Sequence, residues 1–367
     1  MKKSIMSLGV SAALLAGPAF AHNDHDPDQI PDLDHVFLIM MENHAYGQII
    51  GNSDAPFINQ LAQSANLATN YFAVGHPSLT NYLEAVGGSN FGIENDNYPD
   101  WHYATPDASR NEPITGPGLD AATPAAVAPF NTDIPSAAYV GATIADQLAA
   151  ANKSWKSYQE NLPAAGADNV NYSDGDFSNL SAVNQSGVQK LYAVKHNPFV
   201  YFANIQANTD PHNGLNNVVG FDGLNGLYAD LGAGKAPNFS FIAPNQCHDM
   251  HGAGGGSAFC SNDATLIKMG DASVQKLVTT IKNSKAWQHG KNAIVVVWDE
   301  NDFGSDPNQV VTIVDTNYGV HGVTSSQPYS HFSLLRTLEA GFGLPCLNHA
   351  CDENVNVMSD LFKAAHH

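Results

Sequence analysis

The chain has 367 residues, 43% of them hydrophobic and 14% charged, and a formal charge of −20. That length supports a large core and an α/β enzyme built as one unit. The negative charge repels polyanions and so excludes a nucleic-acid binder.

The first segment reads as an export signal. Lys2 and Lys3 precede a short apolar stretch, residues 5–16, and Ala19-Phe20-Ala21 is a small-x-small cleavage site. The stretch is too short to span a bilayer comfortably. The expected mature chain therefore begins after Ala21, in the periplasm or the medium, without stable membrane insertion. Losing Lys2 and Lys3 takes its charge to about −22. Residues 22–34 read as a polar, mobile lead-in and 35–367 as a single domain.

Residues 36–41 are apolar without a break, which suits a central strand of a parallel sheet. A helix is predicted over 56–64, then a loop, 75–82, that feeds a second helix. Residues 96–140, rich in Pro, Ala, Asn and Asp, read as a long insertion near the site mouth. Thr143-x-x-Asp146 caps a helix over 143–151, and 161–190 read as a second insertion. Apolar runs predict strands at 198–205, 238–243, 293–298 and 309–314. Between and after them, Val274, Leu277, Val278 and Ile281 share one face of a helix over 271–284. Leu334, Leu335 and Leu338 do so over 333–340. Strands alternating with helices predict an α/β sheet layered by helices, with the ligand site beyond the carboxyl ends of the strands.

Potential ligands stand at those ends. Glu42-Asn43-His44 follows the first strand, and its oxygens suit a divalent cation; an ordinary polar turn is the alternative. Asp299-Glu300 follows the strand at 293–298. Adjacent carboxylates repel unless a cation or a proton lies between them. Two such strand ends in one sheet favour the metal. Ser78 sits where a loop feeds a helix, a place that receives phosphate; contact with a metal would turn its hydroxyl into a nucleophile. Asn81, one turn on, is placed to donate to a phosphoryl oxygen, although a capping serine is the simpler reading of Ser78. The segment 245–251 gathers His248, Asp249 and His251 before a glycine run, as a metal- or phosphate-binding loop would. His196 and His331 each flank a structured segment and could bind phosphate or act as general acid.

The four cysteines fall into two local pairs, Cys247 with Cys260 and Cys346 with Cys351. That connectivity is favoured among the three that four cysteines allow, and an exported chain meets an oxidising compartment. A Gly-x-Ser-x-Gly elbow, a Walker A loop, a dinucleotide fingerprint and a Cys-x-x-Cys knuckle are all absent.

Jointly these motifs resemble the bacterial phosphoesterase family of acid phosphatases and phospholipases C, within the alkaline-phosphatase-like superfamily. The resemblance runs over residues 35–360. It rests on the strand with Glu42-Asn43-His44, on His76-Pro77-Ser78-Leu79-Thr80-Asn81-Tyr82, and on Lys195-His196-Asn197-Pro198-Phe199. The loop at 238–251, Trp298-Asp299-Glu300, and Tyr329-Ser330-His331 with the helix after it complete it. Thr80 stands where the family usually has Pro. The resemblance implies a three-layer α/β/α sandwich with a mostly parallel sheet. It also implies a site in which Glu42, Asn43, Ser78, Asp299 and Glu300 gather a divalent cation. Ser78 would attack phosphorus to give a phosphoserine. His248, Asp249, His251 and His331 would serve a second cation or the phosphoryl oxygens, and His76 and His196 the substrate. The expected function is an exported metal-dependent acid phosphatase acting on small phosphate esters with one or two divalent cations. The alternatives are a phospholipase C and, from another class, a catalytically silent metal- and phosphate-binding module.

Overall fold

The computed structural model describes residues 30–93, 95–99, 141–167, 170–176, 189–253, 260–304 and 307–364. The expected signal segment, most of the 96–140 insertion and parts of the 161–190 insertion lie outside the described residues. The first elements are β1 (His35–Met41), α1 (Tyr46–Ile49), α2 (Pro56–Ser64), β2 (Asn66–Ala68), β3 (Tyr71–Phe72) and α3 (Ser78–Gly87). Then come α4 (Ile144–Ala150), β4 (Trp155–Gln159), β5 (Tyr172–Ser173), β6 (Tyr192–Ala193), α5 (Ala203–Ala207), β7 (Val218–Gly220), α6 (Leu227–Ala233) and β8 (Phe239–Ala243). The chain continues through α7 (Asp263–Lys282), β9 (Asn292–Trp298), β10 (Thr312–Thr316), β11 (Thr324–Ser325), β12 (Tyr329–Ser330) and α8 (His331–Phe342).

Eight strands form the main sheet in the order β11-β2-β10-β9-β1-β8-β4-β7. β1 runs parallel to both β8 and β9, and only β10 is reversed. Every residue from Val36 to Met41 and from Asn292 to Trp298 is buried. Successive side chains of a strand point to opposite faces, so both faces of the sheet are covered. Two groups of helices do this, α2 and α6 around α7, and α3 and α4 around α8. The result is the three-layer α/β/α sandwich with a mostly parallel sheet that the motifs imply. Both local disulfides are present, Cys247–Cys260 and Cys346–Cys351. Among the described residues no helix is long and apolar enough to cross a membrane.

Several expectations need correction. The run at 198–205 is not a strand: Pro198–Tyr201 is a 3-10 helix, followed by α5. Proline lacks the N–H a central ladder needs and suits a first helical turn. A run buried on all sides carries no period that separates strand from helix. The strand at that side of the sheet is β4, whose Lys156, Ser157 and Gln159 hid it. β10 begins at Thr312, not 309. α7 starts eight residues before the expected helix, where the Asn262 side chain accepts from the Thr265 N–H (3.0 Å). The lead-in is anchored at its end, because Ile30 and Leu33 are buried and the Leu33 N–H donates to the Gly341 carbonyl (2.7 Å).

Glu339 on α8 is buried, and burial pushes its carboxyl up to about 9, against smaller opposing effects of Gln147, the Leu347 backbone and Arg336. The folded state thus holds a proton that the unfolded chain releases near pH 4.5. Stability from this group is complete below that pH and is lost as pH rises toward 9. Glu339→Gln, which stays neutral, should remove this loss and stabilise the protein at pH 7 by up to about 3 kcal/mol. Urea unfolding at pH 5 and pH 8 checks it; an equal effect at both would contradict the assignment.

Candidate active site

The sheet register builds the site. Met41 pairs with Trp298 at the carboxyl ends of β1 and β9, so Glu42 and Asp299 leave the sheet side by side. The Asp299 N–H donates to the Met41 carbonyl (2.9 Å) and the Glu42 N–H to the Asp249 carbonyl (2.8 Å), which draws in the loop after β8. Asn43 adopts a left-handed φ of 52°, a conformation asparagine tolerates. Its N–H donates to Asp299 Oδ1 (3.2 Å). Its carboxamide end lies 3.2 Å from Glu42 Oε2 and 3.1 Å from Glu300 Oε1.

Ser78 is the first residue of α3, with Pro77 at the cap position. It is not a capping serine. Its hydroxyl is buried and donates to Glu42 Oε2 (3.0 Å) or Glu300 Oε1 (3.2 Å). The capping carboxylate is Asp96, whose Oδ1 accepts from the Leu79 N–H (3.0 Å). Glu300 also receives Asn81 Nδ2 (3.1 Å) and lies 2.8 Å from His76 Nδ1. Asn81 accepts from the Val74 and Gly75 N–H groups (3.0 and 3.1 Å) and donates its second amide hydrogen to the Gly75 carbonyl (2.9 Å). With both hydrogens engaged, its side chain braces the loop before α3 instead of reaching out to a phosphoryl oxygen.

A second set of donors shares Glu42. His196 Nε2 lies 3.0 Å from Glu42 Oε1 and its Nδ1 3.2 Å from Asp249 Oδ2, while its ring stacks on Tyr82 at 5.3 Å. Glu42, His196 and His251 bring one ligand atom each within 4.8 Å of one another, a possible metal-binding cluster. His251 Nδ1 donates to the Gly252 carbonyl (2.8 Å), which leaves Nε2 to accept from Lys195 Nζ (3.0 Å). Lys195 also donates to Asp96 (2.8 Å) and approaches Ser78 Oγ (3.4 Å).

Electrostatics follow from burial. Desolvation pushes Glu42 up to about 7, with Lys195 the strongest opposing influence. It drives Asp249, Asp299 and Glu300 well above the carboxylate range, and the charge of Glu42 adds to each shift. Burial lowers His196 far below its ordinary value, His251 to about 3 and His76 to about 4. Desolvation also opposes charge on Lys195, but Asp96, Glu42 and Glu300 outweigh it and hold the ammonium above its usual value. Carboxylates packed this way must keep protons or gather a cation. The donors fit a cation: the buried Asp299 Oδ2 accepts no hydrogen bond, and Glu42 Oε1 has the His196 ring nitrogen beside it at 3.0 Å, both oxygens of a carboxylate-rich set.

Two expected residues stand elsewhere. His248 turns to Glu160 (2.8 Å) and not to the carboxylate cluster. It follows the loop's turn at Asn245, whose Oδ1 receives the His248 N–H (3.0 Å). His331 lies behind the site: Nε2 donates to the Asp299 carbonyl (2.6 Å) and Nδ1 accepts from the Tyr71 hydroxyl (3.0 Å). With both nitrogens used and burial lowering it to about 4, it is a neutral brace for the Asp299 backbone. Lys195 and Asp96 were not among the expected site residues. Lys195 carried a signal, a cation beside His196 in a chain poor in cations. Asp96 opens the long insertion and carried none.

The profile of the phosphoesterase family matches residues 52–345. The chain belongs to the phosphoesterase family. It is a phosphoric ester hydrolase. Phosphatidylinositol-3-phosphatase of Mycobacterium tuberculosis is 28% identical over 325 residues, covering 88% of this chain and 81% of that protein. An acid phosphatase of Aspergillus fumigatus is 26% identical across 87% of this chain and 57% of its own length. A phosphate-repressible acid phosphatase of Penicillium chrysogenum is 28% identical across 79% of this chain. This chain thus spans little more than half the length of the two fungal relatives, 57% and 55%. Among solved structures, an alkaline phosphatase superfamily protein from Vibrio parahaemolyticus aligns with a TM-score of 0.47 and 15% identity, over 87% of this chain and 68% of that one.

Lys195→Ala should lower kcat/KM for a phosphate ester by roughly 10²- to 10³-fold, the effect of removing a positioned donor from developing charge. Steady-state kinetics on folded protein checks it. Near-normal turnover would remove Lys195 from the reaction.

Proposed function

We propose that this chain is an exported, metal-dependent phosphomonoesterase of the acid phosphatase type, with Ser78 as its nucleophile. The observation that carries the reading is the Ser78 hydroxyl, directed at the Glu42 and Glu300 carboxylates within a dehydrated set of oxygen donors. Glu42, Asn43, Asp299 and Glu300 would hold a divalent cation. That cation would supply the positive charge that acidifies the serine hydroxyl and offsets the charge of the phosphate. His196, Asp249 and His251 form, with Glu42, a donor set for a second ion or for phosphoryl oxygens.

The chain's own groups then do the following. Ser78 Oγ forms a bond to phosphorus as the bond to the leaving oxygen breaks, and the leaving group takes a proton from solvent. The serine proton already points at Glu42 and Glu300, its first acceptors. Lys195, held charged by Asp96, offers its ammonium to the phosphoryl oxygens, while His251 accepts from Nζ and fixes its direction. Asn81 holds the loop before α3 so that Ser78 stays in line. Water then attacks the phosphoserine as the Ser78–phosphorus bond breaks; the proton that Ser78 gave to Glu42 or Glu300 returns to its oxygen, the water's proton passes to solvent, and phosphate leaves.

The relatives' names, a phosphatidylinositol-3-phosphatase and acid phosphatases, describe monoesterases. They favour a monoester over the diester that a phospholipase C would cleave. The complete donor set around Ser78 counts against a silent binding module. Export is supported by the small-x-small site at Ala19-Phe20-Ala21 and by two disulfides, which persist in oxidising compartments.

Hydrolysis of p-nitrophenyl phosphate by the mature protein tests this, beside Ser78→Ala and a chelated sample. Ser78→Ala should lose at least about 10³-fold, and chelation should abolish turnover until a divalent cation is restored. Near-normal activity of Ser78→Ala would overturn the nucleophile. Full activity after exhaustive chelation would overturn the metal.

A further inference from the structure

Residues four apart on a helix lie on one face, so Tyr82 stands one turn beyond Ser78 on the same side of α3. From there the two residues bear on the two oxygens of one carboxylate. Ser78 Oγ donates to Glu42 Oε2 (3.0 Å). Glu42 Oε1 faces His196 Nε2 (3.0 Å), and the His196 ring lies nearly parallel to the Tyr82 ring, with centroids 5.3 Å apart and planes 8° from parallel. Tyr82 and His196 are both buried. The chemistry set out above makes no use of Tyr82.

The contacts of His196 show why a flat neighbour is needed. Its Nε2 meets Glu42 and its Nδ1 meets Asp249 Oδ2 (3.2 Å). Two contacts in the plane of an imidazole leave it free to tilt about the line that joins them. A parallel, offset ring attracts it and removes that freedom. Tyr82 is itself braced by Phe241 of β8, edge-on with centroids 6.0 Å apart and planes at 60°. His196 in turn meets the His251 ring at 5.5 Å and 61°. A line of rings thus runs from the core strand β8 to the donor set of Glu42, His196 and His251, whose ligand atoms lie within 4.8 Å of one another.

From this we infer that Tyr82 is a positioning residue: its ring holds the His196 imidazole at the tilt that aims Nε2 into the Glu42–His196–His251 donor set, and so sets the affinity of that set for a divalent cation. The plane of the ring does this, not the hydroxyl. Groups that orient a ligating histidine typically change metal affinity 10- to 100-fold when removed. This rests on the reading of Glu42, His196 and His251 as a cation set. A Tyr82 that only fills the core predicts something different, a loss of stability with cation affinity intact.

The test is calorimetric titration of zinc into the chelated mature protein, beside Tyr82→Leu, Tyr82→Phe, His196→Ala and the double variant of Tyr82→Leu with His196→Ala. Melting scans first establish that each is folded. The zinc binding that His196→Ala weakens should weaken about 10- to 100-fold in Tyr82→Leu as well, and less in Tyr82→Phe, which keeps the ring. The double variant should lose no more than His196→Ala alone, because a residue that acts only through His196 then has nothing left to position. Tyr82→Met fills the space with a flexible chain, so it decides the matter should the leucine variant fold poorly. Wild-type affinity in Tyr82→Leu, equal losses in Tyr82→Leu and Tyr82→Phe, or losses that add in the double variant each overturn the inference. Zinc affinity unchanged in His196→Ala would instead sink the cation reading of the donor set, and the two failures are told apart by that control.

Discussion

Everything in this site depends on carboxylates that have been taken out of water and pressed together. Glu42 and Asp299 emerge from neighbouring parallel strands in register, and Glu300 and Asp249 crowd the same volume. The mutual repulsion of such groups is large where the local dielectric is low. A protein keeps this arrangement only where protons or a cation neutralise it. The strands that supply Glu42 and Asp299 stand at the centre of the sheet and are fully buried, so the cost is carried by the core.

Around that constraint the rest of the site follows. The chain is strongly acidic, yet it must attract a phosphate ester. Lys195 supplies a local cation that Asp96 keeps charged, and Asp96 at the same time caps α3. The site histidines are held neutral, buried His196 against Glu42 and Asp249 and half-buried His251 against Lys195. Neutral imidazoles can take up a cation or accept hydrogen bonds, and they add no charge that would compete with it.

Much of this was legible in the residues. The run at 36–41 declared a buried strand because every position is apolar, and the acids that follow it could only lie at the strand's end. The same holds for Asp299 and Glu300 after β9. The Thr143-x-x-Asp146 cap found α4, where the Thr143 N–H donates to Asp146 (2.7 Å) as expected, and periodicity found α7 and α8. The failures have physical causes. The segment at 198–205 is buried all round, so hydrophobicity carried no period, and Pro198 was the neglected clue. β4 mixes polar and apolar residues because Ser157 and Gln159 are buried by hydrogen bonds to each other and to Asn197 and His196. A motif names a histidine but not where it points. His331 and His248 were read as reactive, and their hydrogen bonds turn one to the Asp299 backbone and the other to Glu160. Asp96 reaches the site through a contact distant in sequence, which no local pattern encodes.

The central claim is that the Glu42–Asn43–Asp299–Glu300 cluster is a cation site that the fold needs filled. Calorimetry on the chelated mature protein tests it most directly, with titration of zinc, calcium, magnesium and manganese and a melting scan after each. The account predicts stoichiometric binding of at least one of these ions, a rise in Tm of several degrees, and loss of both effects in Asp299→Asn. No heat and no rise in Tm with any of the four ions would mean that protons neutralise the cluster, and the proposed chemistry at Ser78 would have lost its activator.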